Sequence, residues 1–458
     1  MQRICGARAY GPDPIKNSFW RASVSEQPNW MRPEGAITCD IAVVGGGYTG
    51  LTAALDLAEA GADVVLLEAE APGWGASGRN GGFCCLGGAK LSRKQFVRHH
   101  GETAMREFFA AERDAVSLVA ETLDRLAIDA DCHSEGETQL AHSAAEMAGL
   151  RASVPVLRDL LGIEPRLTEP GDLAAEGLAS PEFHGALTLP VGFALNPLSY
   201  ALGLASAAAA AGARIFASAP VQAIAPHGAG WRLRLNGAEV TARVLVMATN
   251  AYGAEDVPAW MAGRFMPVQS NILVTRPLEP DELAEQGWTS RQMCYDTRTL
   301  LHYFRLMPDN RMLFGQRGAI RTDAAAEAAI FADGRRDFAR MFPSWQAVEM
   351  DYAWSGMVAI ARNRTPYVGP IPGGPTAFAG LAYHGNGVAM GSYAGGLLAD
   401  LVLGRPTRRP YPTVMRAPMG RFPLGRFRRA MLAPIYTMYQ LGDVDWSKRP
   451  WSARSGVA

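Results

Sequence analysis

Three glycines and one glutamate form the first pattern in the sequence that could do chemistry. Gly45, Gly47 and Gly50 have the spacing G-x-G-x-x-G, and Glu68 follows them downstream. In such a turn the first glycine allows a tight bend, the second lets the backbone approach a pyrophosphate, and the third lets a helix pack closely on a sheet. A carboxylate roughly 20 residues further on accepts hydrogen bonds from ribose hydroxyls. These residues therefore predict a site for a dinucleotide.

A second glycine-rich segment extends the candidate site. Residues 73–82 contain five glycines together with Ser77, Arg79 and Asn80. One nucleotide-binding turn does not need such a segment, whereas a longer cofactor laid across the domain would use it as a second channel lined by backbone. The alternative is a surface loop, because Arg and Asn between glycines also suit turns.

A third glycine-rich segment, residues 380–388, leads into a helix near the other end of the chain. It contains His384, Gly385, Asn386 and Gly387. The start of that helix could direct its N–H groups and partial positive charge at the electron-rich edge of a flavin ring. Since no second strand–GxGxxG–helix pattern for NAD(P) occurs, the three segments together predict a bipartite FAD site.

The elements that carry these segments are predicted from hydrophobic periodicity and end signals. Residues 40–45 and 63–68 are short apolar β runs, and the alanine- and leucine-rich stretch between them has helical spacing, which completes a βαβ unit. A helix over 197–211 follows Asn196, a favourable N-cap residue, and Gly212 closes it.

The same patterns predict the remaining elements and the domain organisation. Helices are predicted over 94–127, 142–161 and 388–403, and strands over 213–217, 231–235, 243–248, 265–275, 300–306, 311–316 and 376–380. The predicted fold class is α/β, with a second domain that also bears a sheet. Residues 1–38 are predicted to form an N-terminal arm, and residues 405–458 a C-terminal extension.

Composition limits the class of protein. The chain has 458 residues, 48% hydrophobic and 19% charged, as in an ordinary globular protein with ample core material. Lys+Arg and Asp+Glu both number 44, so the formal charge is zero, which argues against a nucleic-acid partner. The six cysteines are scattered without C-x-x-C, so we expect reduced thiols and no metal site. With no signal-peptide pattern and no apolar stretch of spanning length, we expect a cytoplasmic protein with no membrane span.

The glycine-rich segments and their surroundings resemble one known family. The stretches 40–51 (DIAVVGGGYTGL), 73–82 (GWGASGRNGG) and 380–388, with Asn196 before Pro197, resemble the FAD-dependent amine and amino-acid oxidoreductases of the D-amino-acid oxidase/glycine oxidase superfamily. The chain is most similar to the γ-glutamylputrescine oxidoreductase-like branch. The similarity extends over about residues 18–445, and the 73–82 stretch is its most specific part.

The resemblance implies a reaction and a set of cofactor contacts. A hydride passes from the amine-bearing carbon to flavin N5, water hydrolyses the resulting imine, and the electrons go on to O2 or another acceptor. The resemblance also implies a Rossmann-like FAD-binding domain built from discontinuous segments (39–90, 185–252 and 355–404) and an inserted α+β substrate domain (91–184 and 253–354), whose β-sheet is expected over the flavin ring. The implied FAD contacts are Gly45, Gly47, Gly50, Glu68, Ser77, Arg79, Asn80, Val221, Gly385, Asn386 and Gly387.

Departures from the family pattern refine this expectation. Sarcosine-oxidase-type members attach the flavin to a cysteine in the region that is 354–360 here, and other relatives use a histidine in the region that is 76–79; neither residue is present. The expected FAD is therefore non-covalent. At the position of Ala389, sarcosine-type members have a lysine that helps to clamp the substrate carboxylate. Its absence favours an amine, such as a polyamine derivative or a secondary amine, or an acid held by another group.

Three residues are candidates for catalysis. His384 could tune the protonation state of the amine, because histidine titrates near neutrality; the alternative is a hydrogen-bonded structural histidine. Tyr303 and Arg305 alternate along a predicted strand and could line the substrate cavity, with Arg305 as a carboxylate clamp. A solvent-facing pair on a half-buried strand is equally compatible with the sequence.

Two other functions remain open at this point. An NAD(P)H-coupled flavoprotein reductase would need a second Rossmann unit and often a C-x4-C redox pattern, and the sequence has neither. A flavin-containing tRNA-modification or RNA-interacting protein is the other alternative, against which the zero net charge argues.

Overall fold

The structure, a computed structural model, describes residues 1–24 and 28–444. Residues 25–27 and 445–458, which belong to the two predicted terminal extensions, lie outside the described residues. The first nine strands are β1 (Gly35–Val44), β2 (Val64–Leu67), β3 (Phe83–Cys84), β4 (Glu137–Leu140), β5 (Arg166–Thr168), β6 (Ala186–Leu189), β7 (Phe193–Ala194), β8 (Arg214–Phe216) and β9 (Ala223–His227). The next nine are β10 (Gly230–Arg234), β11 (Ala238–Met247), β12 (Phe265–Thr275), β13 (Met293–Asp296), β14 (Tyr303–Leu306), β15 (Met312–Arg317), β16 (Met350–Ala361), β17 (Tyr367–Pro370) and β18 (Ala377–Leu381).

The α-helices pack on these strands. They are α1 (Phe19–Ser23), α2 (Tyr48–Glu59), α3 (Arg93–His100), α4 (Glu102–Arg125), α5 (Ala144–Leu161), α6 (Pro197–Ala210), α7 (Pro280–Gln286), α8 (Ala324–Met341), α9 (Gly387–Val402), α10 (Thr413–Arg416) and α11 (Leu432–Gly442). As predicted, α6 begins at the Asn196 cap, whose side chain accepts hydrogen bonds from the next turn. Among the helices of the described ranges, none is long and apolar enough to cross a membrane.

The predicted βαβ unit is formed by β1, α2 and β2. β1 pairs in parallel with β2 on one side and with β11 on the other. All four residues of β2 are buried, as expected for a parallel strand that is covered on both faces. α2 starts directly after Gly47 and ends before Gly61, whose φ of +81° favours glycine. The unit predicted over 40–68 is confirmed.

The first sheet has eight strands. Its order is β17-β18-β11-β1-β2-β8, and β10 and β9 continue antiparallel from β11. The strands from β18 to β8 run parallel, so their carboxyl ends meet at one edge, where open α/β sheets bind ligands. Because these strands come from widely separated parts of the chain, the predicted discontinuous Rossmann-like domain is confirmed.

The second sheet forms the inserted unit. Its order is β16-β12-β15-β14-β13-β4-β6-β5, and all neighbours are antiparallel except β13 and β4. α8 covers one face, where Phe338 packs edge-on against Phe314 of β15 with 5.7 Å between ring centroids. The predicted α+β character is confirmed, and the strand predicted over 265–275 coincides with β12.

Several elements bear on the predicted domain division. β6 lies within the 185–252 segment, and β16 crosses residue 355, yet both strands pair in the second sheet. α4 lies within the 91–184 segment, yet its buried face packs with α2 and α9 against the first sheet. Chain order alone cannot show these pairings, because strands and helices of both units alternate along the sequence. The division given above therefore stays a proposal.

The N-terminal arm is anchored to the fold by apolar side chains. Trp20 is 2% exposed and packs edge-on against Trp354 of β16, with 6.2 Å between ring centroids. Its indole N–H donates a hydrogen bond to the carbonyl of Asn80 at 2.8 Å. The arm thus connects the second glycine-rich segment to the second sheet.

Candidate functional site

A large cavity opens at the carboxyl edge of the first sheet. It has a volume of about 1360 Å³ including its mouth. Eight of the eleven predicted FAD contacts line it: Gly45, Gly47, Glu68, Ser77, Asn80, Val221, Gly385 and Gly387. All three glycine-rich segments therefore meet at one cavity, which we call the FAD cavity.

Gly45 and Gly50 shape the turn between β1 and α2. Gly45 has a φ of +112°, and a Cβ there would lie 2.6 Å from the carbonyl oxygen of Ala248. A Cβ on Gly50 would collide with the carbonyl oxygen of Gly45. Gly50 thus lies behind the cavity wall and allows the helix to pack against the turn, which is the packing role expected of the third glycine.

Gly47 leaves the space in front of α2 open. A Cβ there would lie 2.8 Å from the hydroxyl oxygen of Ser77. That oxygen accepts a hydrogen bond from the Tyr48 N–H at 3.0 Å. The Tyr48 N–H is thus taken up by Ser77. Gly47, Tyr48 and Thr49 at the start of α2 line the cavity, and the positive end of the helix dipole there suits a pyrophosphate.

Glu68 closes β2 at the other side of the turn. Its carboxylate accepts hydrogen bonds from the N–H groups of Gly46 at 2.6 Å and Glu70 at 3.1 Å. Burial raises the pKa of Glu68, and the backbone N–H donors oppose this effect. Val221 is buried in the same wall. It lies in the loop after β8, in which the Ala219 N–H donates a hydrogen bond to the backbone carbonyl of Glu68. This is the wall at which a ribose and its base would lie.

Asn80 holds the second glycine-rich segment together. Its amide nitrogen donates to the carbonyls of Ser77 at 2.9 Å and Ala76 at 3.1 Å. Its amide oxygen accepts from the Gly82 N–H at 2.8 Å. The side chain therefore supports the loop, and the backbone of the loop faces the cavity.

Arg79 carries an unsatisfied buried donor. Its Nε donates to the Trp74 carbonyl at 2.8 Å, and its guanidinium lies 3.9 Å from the centroid of the Trp74 ring. One terminal nitrogen is buried without a hydrogen-bond partner, and burial lowers the pKa of the group. Thr249, in the wall of the FAD cavity, likewise has a buried hydroxyl with no partner. An electron-rich ligand would satisfy such groups, so the residues present fit FAD.

His384 is held by the backbone through both ring nitrogens. Nδ1 lies 2.7 Å from the Gly88 carbonyl, and Nε2 accepts a hydrogen bond from the Ala361 N–H at 3.1 Å. These partners define a neutral tautomer with the proton on Nδ1. Burial lowers the pKa of His384 to about 3, and the positive charges of Lys90 and Arg317 act in the same direction. The expectation that His384 titrates near neutrality is therefore wrong, and the structural-histidine alternative describes its contacts.

A second cavity adjoins the FAD cavity. It has a volume of about 1130 Å³ including its mouth, and we call it the substrate cavity. Ala76, Asn80, Val358, Gly385 and Val388 line both cavities. The polar residues in the substrate-cavity wall are Arg79, Asn80, Cys85, Lys90, Glu137, Ser270, Tyr295, Tyr303, Arg317 and Asn386.

Asn386 joins the third glycine-rich segment to this wall. Its amide nitrogen donates to the Leu86 carbonyl at 2.8 Å and to the sulfur of Cys85 at 3.3 Å. Like Asn80, it supports the site through backbone contacts. Cys85 is buried, and burial raises the pKa of its thiol well above the ordinary value.

The alternation of Tyr303 and Arg305 along their strand predicts that both line the substrate cavity, but only Tyr303 does. Tyr303 lines the substrate cavity, and its hydroxyl lies 3.0 Å from that of Ser270. Arg305 is outside the cavity wall and 1% exposed. Its guanidinium donates to the Leu195 carbonyl at 2.8 Å and to His133 at 3.0 Å. The predicted clamp position of Arg305 is therefore wrong.

Two cations that the sequence analysis missed occupy the cavity wall. The Arg317 guanidinium lies 3.7 Å from the position of a Cβ on Gly385, beside the third glycine-rich segment. Burial within the cavity, together with the charge of Arg317, lowers the pKa of Lys90 to about 8. Neither side chain forms an ion pair within residues 1–24 and 28–444. Arg317 directly follows the strand predicted over 311–316, which is the only signal that could have suggested it.

The fold and the site together define a dinucleotide-binding oxidoreductase of the FAD type. The chain belongs to the DAO family, whose model, described as FAD dependent oxidoreductase, matches residues 40–401. It is 31% identical over 427 residues to the probable oxidoreductase OrdL of Rhizobium meliloti (strain 1021), with 93% of this chain and 97% of that protein covered. It is also 31% identical over 426 residues to the gamma-glutamylputrescine oxidoreductase of Escherichia coli (strain K12), with 92% and 97% covered.

Solved structures agree with the fold. The glycine oxidase from Geobacillus kaustophilus superposes with a TM-score of 0.68 at 22% identity, covering 84% of this chain and 100% of the other. The predicted family resemblance and the predicted FAD cofactor are confirmed. The protein is an FAD-dependent oxidoreductase.

Proposed function

We propose that this protein oxidises the C–N bond of an amine or amino acid, with a polyamine derivative or a secondary amine as the favoured substrate. Bound FAD supplies the acceptor for a hydride from the carbon that bears the nitrogen. Water then hydrolyses the imine to a carbonyl compound and an amine, and the electrons pass to O2 or another acceptor. The observation that carries the proposal is the junction of the two cavities at Asn80, Val358 and Gly385.

The chemistry of this junction supports amine oxidation. The residues that line both cavities include no titratable side chain, and His384 is neutral. An amine needs no protein base if it reacts as the free base, because its own lone pair assists the departure of the hydride. Arg317 and Lys90 favour that form, since nearby positive charges lower the pKa of a bound ammonium group.

Arg317 and Lys90 also bear on whether the substrate carries a carboxylate. Ala389 is buried within α9 and lines neither cavity, so nothing at that position reaches a substrate. If the substrate bears a carboxylate, Arg317 and Lys90 are the groups that would hold it. The names of the relatives, gamma-glutamylputrescine oxidoreductase and glycine oxidase, are consistent with an amine and with an amino acid respectively.

Non-covalent FAD is part of the proposal. Neither the 354–360 region nor the 76–79 region offers a residue for attachment. Cys84 and Cys85 are buried, and burial keeps both as neutral thiols. After acid precipitation all flavin should stay in the supernatant as FAD, and flavin in the pellet would point to these cysteines.

The reaction is tested by its product. FAD-loaded enzyme is incubated with primary alkylamines, secondary amines, diamines and amino acids, and the carbonyl product is trapped and quantified by mass spectrometry. We expect one carbonyl compound per two electrons delivered to the acceptor. Carbonyl formation from none of these compounds, with flavin reduced by NADPH, would contradict the proposal and support a flavoprotein reductase. Retention on RNA without amine oxidation would support the RNA-interacting alternative.

A further inference from the structure

A third cavity lies behind the substrate cavity, between α4, α5 and the second sheet. We call it the α4–α5 cavity; its volume is about 790 Å³ including its mouth. Leu86, Glu137 and Tyr295 line both it and the substrate cavity, so the two adjoin across these side chains. Most of its wall is aliphatic or aromatic, with Leu91, Phe96, Phe108, Phe109, Leu157, Leu161, Leu187 and Leu189. Such a wall suits an alkyl chain.

Glu112 of α4 is the unusual residue in this wall. It is 6% exposed and lies among buried apolar neighbours on the same helix face, such as Phe108 and Ala115. Within the described ranges, its carboxyl group has no hydrogen bond and no ion pair. A carboxyl group that is buried without a partner is costly unless a ligand or a proton compensates it.

Glu137 of β4 is the second carboxyl group. It is 3% exposed and faces both cavities. The Tyr295 hydroxyl and the Cys85 thiol are neighbours of this carboxyl group and lower its pKa, against the larger effect of burial. Among residues 1–24 and 28–444, no Lys, Arg or His lines the α4–α5 cavity, so no described cation of this wall compensates either carboxyl group.

The titration of the two groups is consistent with a missing counter-charge. Burial raises the pKa of Glu137 to about 8, and burial together with the charge of Glu137 raises the pKa of Glu112 to about 8. Among the described residues, the other titratable group in the wall of the α4–α5 cavity is the acid Tyr295 from β13. Glu137 also faces the substrate cavity, whose titratable wall residues are the acids Cys85, Tyr295 and Tyr303 and the cations Arg79, Lys90 and Arg317. An anionic ligand would add to the repulsion, whereas a cation would relieve it.

We propose that Glu112 and Glu137 bind a second, non-reacting ammonium group of the substrate, which makes the substrate a diamine or polyamine derivative with an alkyl spacer. This inference rests on the proposed amine oxidation. The charges would orient such a molecule: Arg317 and Lys90 at the flavin end favour a neutral amine, and the two carboxylates favour an ammonium group at the other end. The alkyl spacer would lie between them against the apolar wall.

The inference is tested by comparing matched amines. Anaerobic flavin reduction is measured with α,ω-diamines and with monoamines of equal chain length, in the wild type, in Glu112→Gln and in Asp124→Asn. Asp124 is an exposed residue of the same helix whose side chain has no hydrogen bond or ion pair in the described part of the chain, so Asp124→Asn is the matched control. In the wild type, the apparent Kd should be at least about tenfold lower for the diamine, the effect expected of hydrogen bonds to a charged group. Glu112→Gln should lose most of this preference with little change for the monoamine, and the control should keep it.

A measurement on the wild type alone covers the case in which Glu112→Gln does not fold. Because Glu112 and Glu137 are both largely protonated near pH 7 and a bound ammonium group requires one or both of them to ionise, diamine binding at that pH should release about one to two protons more than monoamine binding. Equal affinity for both amines, an unaffected Glu112→Gln, or equal proton release would overturn the inference. If instead no amine reduces the flavin, the proposed function itself fails, and the two failures are thereby distinguished.

Discussion

At the scale of single residues, Glu68 shows how one carboxylate can serve the fold and the cofactor. It accepts hydrogen bonds from two backbone N–H groups and still faces the FAD cavity. Glu68→Ala should weaken FAD binding by about 1.5–3 kcal/mol, the range for hydrogen bonds to a charged group. The measurement is the Kd of FAD for the apoprotein by fluorescence. Glu34→Gln, at an exposed residue, is the control. Equal FAD affinity in the wild type, Glu68→Ala and Glu34→Gln would contradict the placement of the ribose beside β2.

His384 gives a prediction with a defined sign in pH. Its ordinary pKa of 6.5 falls to about 3 in the fold, so the unfolded chain binds the extra proton between these values. The stability that this neutral histidine contributes is therefore complete above about pH 6.5 and is lost as the pH falls. The stability difference between the wild type and His384→Asn should shrink by about 1–2 kcal/mol from pH 7 to pH 5.

Denaturant unfolding of the two proteins at several pH values measures this difference. The pH profile of flavin reduction provides a second readout: its apparent pKa should be unchanged in His384→Asn, because the titrating group is the amine. A stability difference independent of pH would show that folding leaves the pKa of His384 at its ordinary value, and loss of the kinetic pKa in the variant would make His384 the titrating group of the reaction.

The residue scale also shows what sequence reasoning can reach. Gly45, Gly47 and Glu68 were predictable because backbone geometry and ribose recognition impose their spacing. Arg305 lies on β14 and Arg317 at the end of β15, and the hydrophobic pattern of these strands does not show which of the two arginines faces the substrate cavity. Arg305 instead contacts the Leu195 carbonyl and His133, and both contacts join distant parts of the chain.

At the scale of elements, the turn before α2 is the most constrained part of the site. Gly47→Val should abolish FAD retention, because its side chain would enter the space beside the Ser77 hydroxyl where the pyrophosphate belongs. Purified flavin content per protein is the measurement. Gly149→Ala, in α5 with nothing within 4 Å of the added Cβ, is the matched control and should keep full flavin. A Gly47→Val protein that purifies yellow would mean that the cofactor enters elsewhere.

Helix periodicity predicted the helical structure of α4 but not the unit of the fold against which it packs. The helix buries Phe108, Ala111 and Ala115 against the first unit, although its chain segment was assigned to the second. Glu112 interrupts that apolar face, and a charged residue in such a position is a readable signal of an unusual site. The cavity in front of it depends on α5 and the second sheet, which a helix pattern alone cannot place.

At the scale of the whole molecule, the two units are held together by contacts that cross the chain. Trp20 bridges the arm, the Asn80 carbonyl and Trp354 of the second sheet. Trp20→Ala should destabilise the protein by about 3–5 kcal/mol, the usual cost of truncating a buried Trp, and should lower flavin content by loosening the 73–82 segment. Thermal unfolding and flavin absorbance measure both effects. The matched control is Trp30→Ala, a partly buried tryptophan outside that contact, and equal effects in both variants would deny Trp20 a special role.

The α/β class and the discontinuous FAD unit could be predicted because the nucleotide motif and the apolar runs are local. The pairing of β16 with β12 and of β4 with β13 could not, because strand order in the second sheet depends on contacts between residues far apart in sequence. The same limit applies to the prediction of function. The cofactor could be predicted from local turns, whereas the substrate could not, because the substrate cavity is assembled from both units.

Anaerobic reduction of the flavin is the most direct test of the proposal that this protein oxidises amines. The FAD-loaded protein is mixed anaerobically with a panel of amines from about pH 6 to 10, and the loss of the oxidised flavin's visible absorption is followed in time. The account predicts that at least one amine, most strongly a diamine or secondary amine, reduces the flavin fully, with a rate that rises with pH through one apparent pKa. Flavin that stays oxidised with every amine, and is bleached by NADPH, would contradict it.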